Sequence, residues 1–191
     1  MIRLAIFASG SGSNAENISH YFKDRTDVEV VVFLTNNPEA GVLVRAKKLQ
    51  IPVLYFNKAQ FQNSDYVLNF LQDQRIDYLI MAGFLWLVPA NLIAAFPNKI
   101  INVHPALLPK YGGKGMWGHH VHEAVVKNKE VESGITIHYV NEAYDEGKII
   151  FQAKCEVLEE DSAENVAAKI HLLEYEHFPK VIDQIIKESQ F

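Results

Sequence analysis

Cysteine, long apolar runs and basic clusters are all scarce in this sequence of 191 residues. A single cysteine, Cys155, excludes an internal disulfide framework and a cysteine-rich metal site. The apolar run at residues 2–8 is too short for a signal sequence or a membrane span. The formal net charge is -5, with no long run of lysine and arginine, which argues against nucleic acid as a partner. We therefore expect a cytoplasmic protein with neither a membrane nor a nucleic acid as partner.

What the sequence does contain is an ordinary globular composition. Hydrophobic residues make up 49% and charged residues 21% of the chain. A chain of this length buries roughly 70% of the surface that its unfolded form exposes. No internal repeat, linker or low-complexity segment interrupts the sequence. We predict one domain over residues 1–191, and both a monomer and a homodimer remain open.

Short apolar segments of strand length alternate with amphipathic segments of helix length over the first part of the chain. The apolar segments lie at 2–8, 28–35, 53–56, 78–82 and 100–104. Such alternation predicts right-handed crossovers and a parallel sheet. Two later segments, 134–140 and 149–157, are joined by a loop too short for a helical crossover and should pair antiparallel. The expected fold is α/β: a single-domain, Rossmann-like open twisted sheet, mostly parallel, with helices on both faces and an antiparallel strand near the C-terminal part.

A Gly/Ser-rich turn at residues 9–14 follows the first apolar segment and precedes an amphipathic segment. Glycines allow backbone N–H groups to approach a ligand, and the start of a helix favours negative charge. Gly10, Gly12 and Ala15 also fit the loose dinucleotide fingerprint. That fingerprint requires an acidic residue about 20 positions later, and Asn36 stands there instead. A phosphate monoester therefore fits better than a nicotinamide dinucleotide, and a tight turn without a ligand is the alternative.

Asn102 and His104 stand two residues apart at the end of the strand predicted at 100–104. Residues with this spacing project from the same face of an extended chain, so both polar groups can reach one substrate atom. Pro105 cannot donate to a sheet ladder and should end the strand. On spacing alone, a turn amide and a capping histidine explain the pair equally well.

Two further groups of residues are ambiguous from the sequence. Residues 85–88 are apolar and follow a strand, so they are either core, which is favoured, or a slot for a flat aromatic ligand. His119, His120 and His122 are clustered, but neighbouring helical residues point in different directions. No pattern of Cys, His or Glu elsewhere in the sequence completes a metal site around them. We predict no metal.

The chain contains the motif N-x-H-P-x-x-L-P, carried by Asn102, His104, Pro105, Leu108 and Pro109. This resembles the central signature of the folate-dependent formyltransferases. The likeness extends over nearly the whole chain in several separated motifs, and it is strongest to the members that formylate glycinamide ribonucleotide in purine biosynthesis.

The resemblance implies a transferase that moves a formyl group from 10-formyltetrahydrofolate, its co-substrate, to the amino group of glycinamide ribonucleotide. The catalytic residues would be Asn102, His104 and Asp145. The ribonucleotide would contact Gly12, Ser13, Asn14 and Glu174. The folate would contact Leu85, Trp86, Leu87, Val88, Asn102 and Asp145, with the loop at 85–88 acting largely through its backbone. Without the resemblance, Glu174 would be interpreted as a solvated charge on a helix face.

The same resemblance assigns supporting roles to His120 and His138, with the other two clustered histidines facing solvent. The sequence also departs from the family pattern. Trp86 stands where the family often has an arginine, and residues 61–66 contain no counterpart of a second folate-contacting arginine. Glu146 replaces a glycine that often follows the aspartate, and the segment at 114–118 is longer than usual. Whether residues 110–118 form a moving lid is open.

In the expected reaction the amine attacks the formyl carbon and a tetrahedral oxyanion forms. The Asn102 amide and a protonated His104 would donate hydrogen bonds to that oxyanion. Asp145 would raise the pKa of His104 and help to move the proton from the amine to the leaving nitrogen. No residue needs to be acylated.

Other functions make different demands on the sequence. Formylation of methionyl-tRNA would need an additional C-terminal domain and a basic surface, for which this acidic chain ends too soon. A formyltetrahydrofolate hydrolase would carry an N-terminal regulatory domain, whereas Met1 opens directly on the first strand. A non-catalytic phosphate-binding module would show no dependence on His104, and a nicotinamide oxidoreductase is disfavoured by Asn36.

Overall fold

The computed structural model describes residues 1–189. The chain divides into two compact units, Met1–Ile101 and a second that begins at Asn102, and the boundary falls within one β-strand. The prediction of a single domain over residues 1–191 stays a prediction.

The first unit is built from alternating strands and helices. These are β1 (Ile2–Phe7), α1 (Ser13–Phe22), β2 (Val28–Thr35), α2 (Val42–Leu49), β3 (Val53–Tyr55), α3 (Lys58–Gln62), α4 (Tyr66–Asp73), β4 (Tyr78–Met81) and α5 (Ala90–Ala95). The strand β1 pairs in parallel with both β2 and β4, and β2 pairs in parallel with β3. The resulting order is β3-β2-β1-β4, followed by β5 (Ile100–His104). The predicted strands and their parallel pairing are confirmed.

The core of the first unit explains why its strands appear as continuous apolar runs. Leu4, Ile6 and Phe7 of β1 are all fully buried, although alternate residues of a strand face opposite sides of its sheet. The helix α1 buries one face through Ile18 and Phe22, which are four residues apart. Each large side chain buried in this way contributes about 1.5–3 kcal/mol.

The short helix α3 was not predicted from the sequence. Its N-cap is Asn57, whose side chain accepts a hydrogen bond from the backbone N–H of Gln60, while the Gln60 side chain accepts one from the backbone N–H of Asn57. This reciprocal arrangement is a capping box. The spacing of Asn57 and Gln60 in the sequence is therefore a signal for the start of a helix.

The second unit contains α6 (His119–Lys127), β6 (Glu132–Tyr139), β7 (Ile149–Glu156) and α7 (Ala163–Glu188). The strand β6 lies next to β5 and pairs antiparallel with β7, with Thr136 opposite Gln152. This confirms the predicted antiparallel pair. The turn between β6 and β7 requires glycine at position 147, because a Cβ there would lie 1.6 Å from the carbonyl oxygen of Tyr139.

The long helix α7 begins at a capping box formed by Ser162 and Asn165. The sequence predicts an interruption at Pro179, and this is wrong: one helix runs through it. Proline removes one helical hydrogen bond, but Phe178 and Ile182 on either side are fully buried, so their packing offsets that loss. Although α7 has 26 residues, no helix within residues 1–189 is both long and apolar enough to cross a membrane.

Candidate active site

The end of β5 presents Asn102 and His104 on one face of the strand, as predicted from their spacing. Asn102 is half-buried, whereas His104 is only 4% exposed. Both residues belong to the second unit, and the neighbouring groups in that unit determine their hydrogen bonds and charge.

Each ring nitrogen of His104 has an acceptor beside it. The backbone carbonyl oxygen of Tyr111 lies 2.7 Å from Nε2, and because a carbonyl can only accept, Nε2 carries a proton. The carboxylate oxygen Oδ2 of Asp145 lies 3.5 Å from Nδ1. The ring is therefore fixed in orientation by two groups that both favour its protonated form.

His138 lies on the neighbouring strand β6 and links Asn102 to the same group. Its Nδ1 lies 2.9 Å from the backbone carbonyl oxygen of the next residue, Tyr139. Because a carbonyl oxygen can only accept a hydrogen bond, the proton is assigned to Nδ1. Its Nε2 then accepts a hydrogen bond from Nδ2 of Asn102 at 3.1 Å. The carboxylate oxygen Oδ1 of Asp145 lies 3.7 Å from the same Nε2. The structure thus brings Asn102, His104 and Asp145 together, with His138 in the supporting position predicted for it.

Asp145 sits in the loop between β6 and β7 in a left-handed conformation, with φ of 57°. Aspartate tolerates this backbone region better than most residues. Its Oδ2 accepts a hydrogen bond from the backbone N–H of Gly113 at 3.0 Å. Burial acts to raise the pKa of Asp145, but His138, His104 and the Gly113 N–H together bring that pKa below its ordinary value. Asp145 is therefore a stable carboxylate at neutral pH.

The net shift in the pKa of His104 is opposite in direction to the shift that the sequence led us to expect. Burial is the largest influence and lowers the pKa of His104 below its ordinary value, even though Asp145 and the Tyr111 carbonyl act to raise it. The sequence predicted the contribution of Asp145 correctly, but it could not supply the burial that outweighs it. The imidazole of the ligand-free protein is consequently neutral at neutral pH, with its proton on Nε2 and a lone pair on Nδ1.

We predict that the pKa of His104, followed by NMR of its imidazole and assigned with a His104→Asn variant, lies below 6.5. The Asp145→Asn variant should lower it further, because the carboxylate favours the charged ring. The same shift implies a fold that loses stability as the pH falls below 6.5, since the unfolded chain binds that proton more readily. A pKa of His104 above 6.5, or one that rises in Asp145→Asn, would contradict this account.

The loop after β5 is held in place by residues that the sequence analysis did not single out. The hydroxyl of Tyr111 donates to Glu130 at 2.8 Å and accepts from the Asn128 amide at 2.9 Å. Lys110 also pairs with Glu130 at 3.0 Å. These contacts fix the Tyr111 carbonyl that orients His104.

Thr136, two residues before His138 on the same face of β6, was also missed. Its buried hydroxyl donates to the carbonyl of Ala106 at 2.7 Å and accepts from the backbone N–H of Leu108 at 3.0 Å. Both partners belong to the turn that follows His104. Its position in the sequence could have indicated this role, because residues two apart in a strand share a face and Thr136 therefore lies on the same face as His138.

Two of the three clustered histidines of α6, His120 and His122, do not take the positions predicted for them, whereas the side chain of His119 is 52% exposed, as predicted. His120 is 55% exposed and lies 3.4 Å from Glu123, so it does not support the site from the interior. His122, predicted to face solvent, is buried, because it lies on the face of α6 that also buries Val121 and Val125. Burial lowers the pKa of His122. Within residues 1–189 no three His, Cys, Asp or Glu side chains are grouped to hold a metal ion, and the prediction of no metal stays a prediction.

Glu174 is buried, with 6% of its surface exposed, which argues against the alternative of a solvated charge on a helix face. It lies in the apolar stripe of α7, four residues from both Ile170 and Phe178, which are themselves buried. The Nδ1 atom of His171 lies 3.1 Å from its Oε2, and this contact raises the pKa of His171. The carboxylate also acts to raise the pKa of both His104 and His122.

Gly12, Ser13 and Asn14 lie in the first unit, where β1 leads into α1. Gly12 is the N-cap of α1, with φ of 72°, and it brings no side chain to cap the helix. A Cβ on Gly12 would lie 2.5 Å from the Cβ of Val42, so only glycine fits. Ser9, just before this turn, donates through its hydroxyl to Asn36 at 2.7 Å and accepts from the backbone N–H of Leu85 at 3.1 Å.

The residues of the loop at 85–88 differ in how much of their surface is exposed. Leu85 is 40% exposed, whereas Val88 is buried, so the loop is not simply core. Trp86 packs on Phe61 with ring centroids 6.0 Å apart, as part of an aromatic cluster. The Gln62 side chain donates to the carbonyl of Leu87 at 2.7 Å. The backbone of this loop is thus held by side chains from elsewhere in the first unit.

Comparison with known proteins gives the chain a family. Residues 2–182 match the family described as formyl transferase. The chain is 38% identical over 97% of its length to a chloroplastic phosphoribosylglycinamide formyltransferase of Arabidopsis thaliana, of which it covers 66%. It is 36% identical over 97% of its length to the phosphoribosylglycinamide formyltransferase of Bacillus subtilis, of which it covers 95%. The chain thus spans somewhat less than two thirds of its plant relatives, 66% of one and 61% of another.

Comparison with solved structures agrees with the family match. The crystal structure of phosphoribosylglycinamide formyltransferase from Bacillus halodurans matches with a TM-score of 0.87 at 35% identity, covering 98% of this chain and 96% of that one. The match confirms the predicted α/β fold class. Together with the family match over residues 2–182, it confirms the resemblance on which the site residues were predicted. The chain belongs to the formyl transferase family.

Proposed function

We propose that this chain is an enzyme that transfers the formyl group of 10-formyltetrahydrofolate to the amino group of glycinamide ribonucleotide, a step of purine biosynthesis. One observation carries the proposal: an amide donor, two imidazoles and a carboxylate are grouped at Asn102, His104, His138 and Asp145. The relatives in Arabidopsis thaliana and Bacillus subtilis are named for this activity.

Asn102 stabilises the oxyanion that develops when the amine attacks the formyl carbon. Its amide nitrogen has two N–H groups, and one of them donates to Nε2 of His138. That bond fixes the orientation of the amide, and the second N–H donates to the oxyanion. One preorganised donor of this kind contributes about 3–4 kcal/mol to the transition state.

His104 and Asp145 move the proton that the attacking amine must lose. This role replaces the one expected from the sequence, in which a protonated His104 donates to the oxyanion, because the pKa of His104 is lowered and both ring nitrogens already face acceptors. The neutral imidazole takes the proton on Nδ1, beside the Asp145 carboxylate, while Nε2 remains bonded to the Tyr111 carbonyl. The imidazolium so formed is stabilised by both acceptors, and it passes the proton to the folate nitrogen as the bond between that nitrogen and the formyl carbon breaks. The new carbon–nitrogen bond to the ribonucleotide replaces the broken one, so no residue is acylated.

The remaining predicted site residues bind the two substrates. Gly12, Ser13 and Asn14, at the start of α1, hold the phosphate of the ribonucleotide, since the N-terminus of a helix favours an anion. The buried carboxylate of Glu174 contacts the same ribonucleotide. Leu85, Trp86, Leu87 and Val88 contact the folate largely through backbone groups, and such contacts do not depend on the guanidinium that Trp86 lacks. Asn102 and Asp145 also contact the folate.

The experiment that tests the proposal measures tetrahydrofolate release from 10-formyltetrahydrofolate by absorbance, with and without glycinamide ribonucleotide. Release that depends on the ribonucleotide is the expected result. Equal release without it would indicate a hydrolase instead. No release in either case from folded protein would favour a non-catalytic phosphate-binding module.

The proposal includes small-molecule partners only, and no metal takes part in it. A cytoplasmic location and the choice between monomer and homodimer remain predictions from the sequence.

A further inference from the structure

We propose that Arg45 is a positioning residue for the phosphate loop, which we define as residues 10–14. On this inference Arg45 holds the loop in its binding shape and offsets the charge of an acidic neighbour, Glu16. The inference rests on the proposed function, because it takes the phosphate of the substrate to bind at this loop.

Arg45 connects the second helix of the first unit to the phosphate loop. It lies on α2, and its Nε–H donates to the carbonyl oxygen of Ser11 at 2.8 Å. The side chain of Arg45 is 34% exposed. A hydrogen bond from a charged donor is stronger than one between neutral groups.

The start of α2 holds the same loop by two further features. The backbone N–H of Val42 donates to the carbonyl of Gly10 at 3.1 Å. A Cβ on Gly41 would lie 3.1 Å from the Cα of Ser11, so the two backbones are in close contact. Arg45 therefore adds a charged donor to the backbone of a loop that the start of α2 already supports.

Glu16 explains why a positive charge is needed there. It lies in the first turn of α1, the helix whose N-terminus would hold the phosphate, and its side chain is 16% exposed. A carboxylate in this position opposes the binding of an anion. Arg45 pairs with Glu16 through one guanidinium nitrogen, while Nε remains on Ser11. One guanidinium thus both neutralises the acid and fixes the loop.

A simple surface ion pair between α1 and α2 is the competing explanation, and such pairs contribute little to stability. Lys48 provides a matched control for it. Lys48 also lies on α2 and approaches Glu16 at 3.4 Å, but it is 75% exposed, and among the described residues it makes no hydrogen bond to the phosphate loop. Its charge is largely screened by solvent.

The test compares Arg45→Gln, Lys48→Gln and the double variant Glu16→Gln/Arg45→Gln. Two readouts are used: the KM for glycinamide ribonucleotide, and the Kd for inorganic phosphate measured by calorimetry. We expect Arg45→Gln to raise both about tenfold while changing kcat and the KM for the folate by less than about twofold. Lys48→Gln should change each value by less than about twofold. The double variant should recover part of the loss, because the carboxylate is removed but the bond to Ser11 stays broken.

Unchanged phosphate affinity in Arg45→Gln would overturn the inference, and so would an equal loss in Lys48→Gln. A substrate without phosphate, the glycinamide riboside, should have the same KM with wild type and Arg45→Gln, and a tenfold difference there would indicate a merely structural role. If Arg45→Gln does not fold, Glu16→Gln tests the same point, since it should lower the Kd for phosphate, and an unchanged Kd would count against the inference. Failure of wild type to convert the ribonucleotide would remove the proposed function, and phosphate calorimetry would still decide the role of Arg45.

Discussion

Replacing His104 by asparagine is expected to lower kcat by about a thousandfold, with the KM for each substrate changing by less than about threefold. In the proposed mechanism the neutral imidazole of His104 takes the proton of the attacking amine on Nδ1, and asparagine has no basic nitrogen for that task. Steady-state kinetics with both substrates measures the effect, and circular dichroism with thermal unfolding establishes that the variant is folded.

The matched control for this variant is His120→Asn. It changes the same residue type in the same unit at an exposed position, so we expect activity close to wild type. Activity of His104→Asn within about tenfold of wild type would remove His104 from the proton transfer. A large loss in His120→Asn would restore the supporting role that the sequence predicted for that residue.

Asp145→Asn is expected to lower kcat by a similar factor, about a thousandfold. In the proposed mechanism the carboxylate stabilises the positive charge on His104 during the reaction, and the amide of asparagine carries no charge to do so. Asparagine tolerates the left-handed backbone found at this position, where φ is 57°, and its side-chain oxygen can still accept from Gly113. The variant therefore tests the charge while preserving the shape of the loop.

Glu146→Gln is the corresponding control, because it removes the adjacent carboxylate, which is exposed. We expect its kcat to stay within about twofold of wild type. If Asp145→Asn retained most of its activity, the proton would have to move without a stabilising carboxylate, and the scheme above would be wrong.

Much of the fold could be predicted because local signals agreed with the final packing. The strand at Ile100–His104 was predicted with the bounds that the structure has. Pro105 ends it, because proline cannot donate to the sheet ladder. Where local signals were not applied, as with the capping pair Asn57 and Gln60, a helix was missed.

The sequence supplied a hypothesis for the site residues, which stays a prediction, but it did not supply their environment. Asn102, His104 and Asp145 were identified by motif, and the structure brings them together in the second unit. The direction of the His104 pKa depends on how deeply the ring is buried, and that follows from the packing of distant segments around it. Local sequence carries no measure of such burial.

Two expectations, the solvated alternative for Glu174 and the exposed position of His122, had contrary signals within the sequence that were not used. Glu174 stands at helical spacing between Ile170 and Phe178, in a stripe whose other members are apolar, which indicates a buried carboxylate. His122 stands three residues before Val125 on the apolar face of α6, whereas His120 does not share that face. Applying the helical period to polar residues as well as apolar ones would have corrected both.

The central claim is that the formyl group goes to an amine and not to water. A single-turnover reaction with an isotope-labelled formyl group on the folate, followed by NMR, tests this most directly. The account predicts that all of the released label appears in the formamide of the ribonucleotide product, with almost none transferred by His104→Asn in the same time. Label recovered as free formate from the wild-type protein would contradict it.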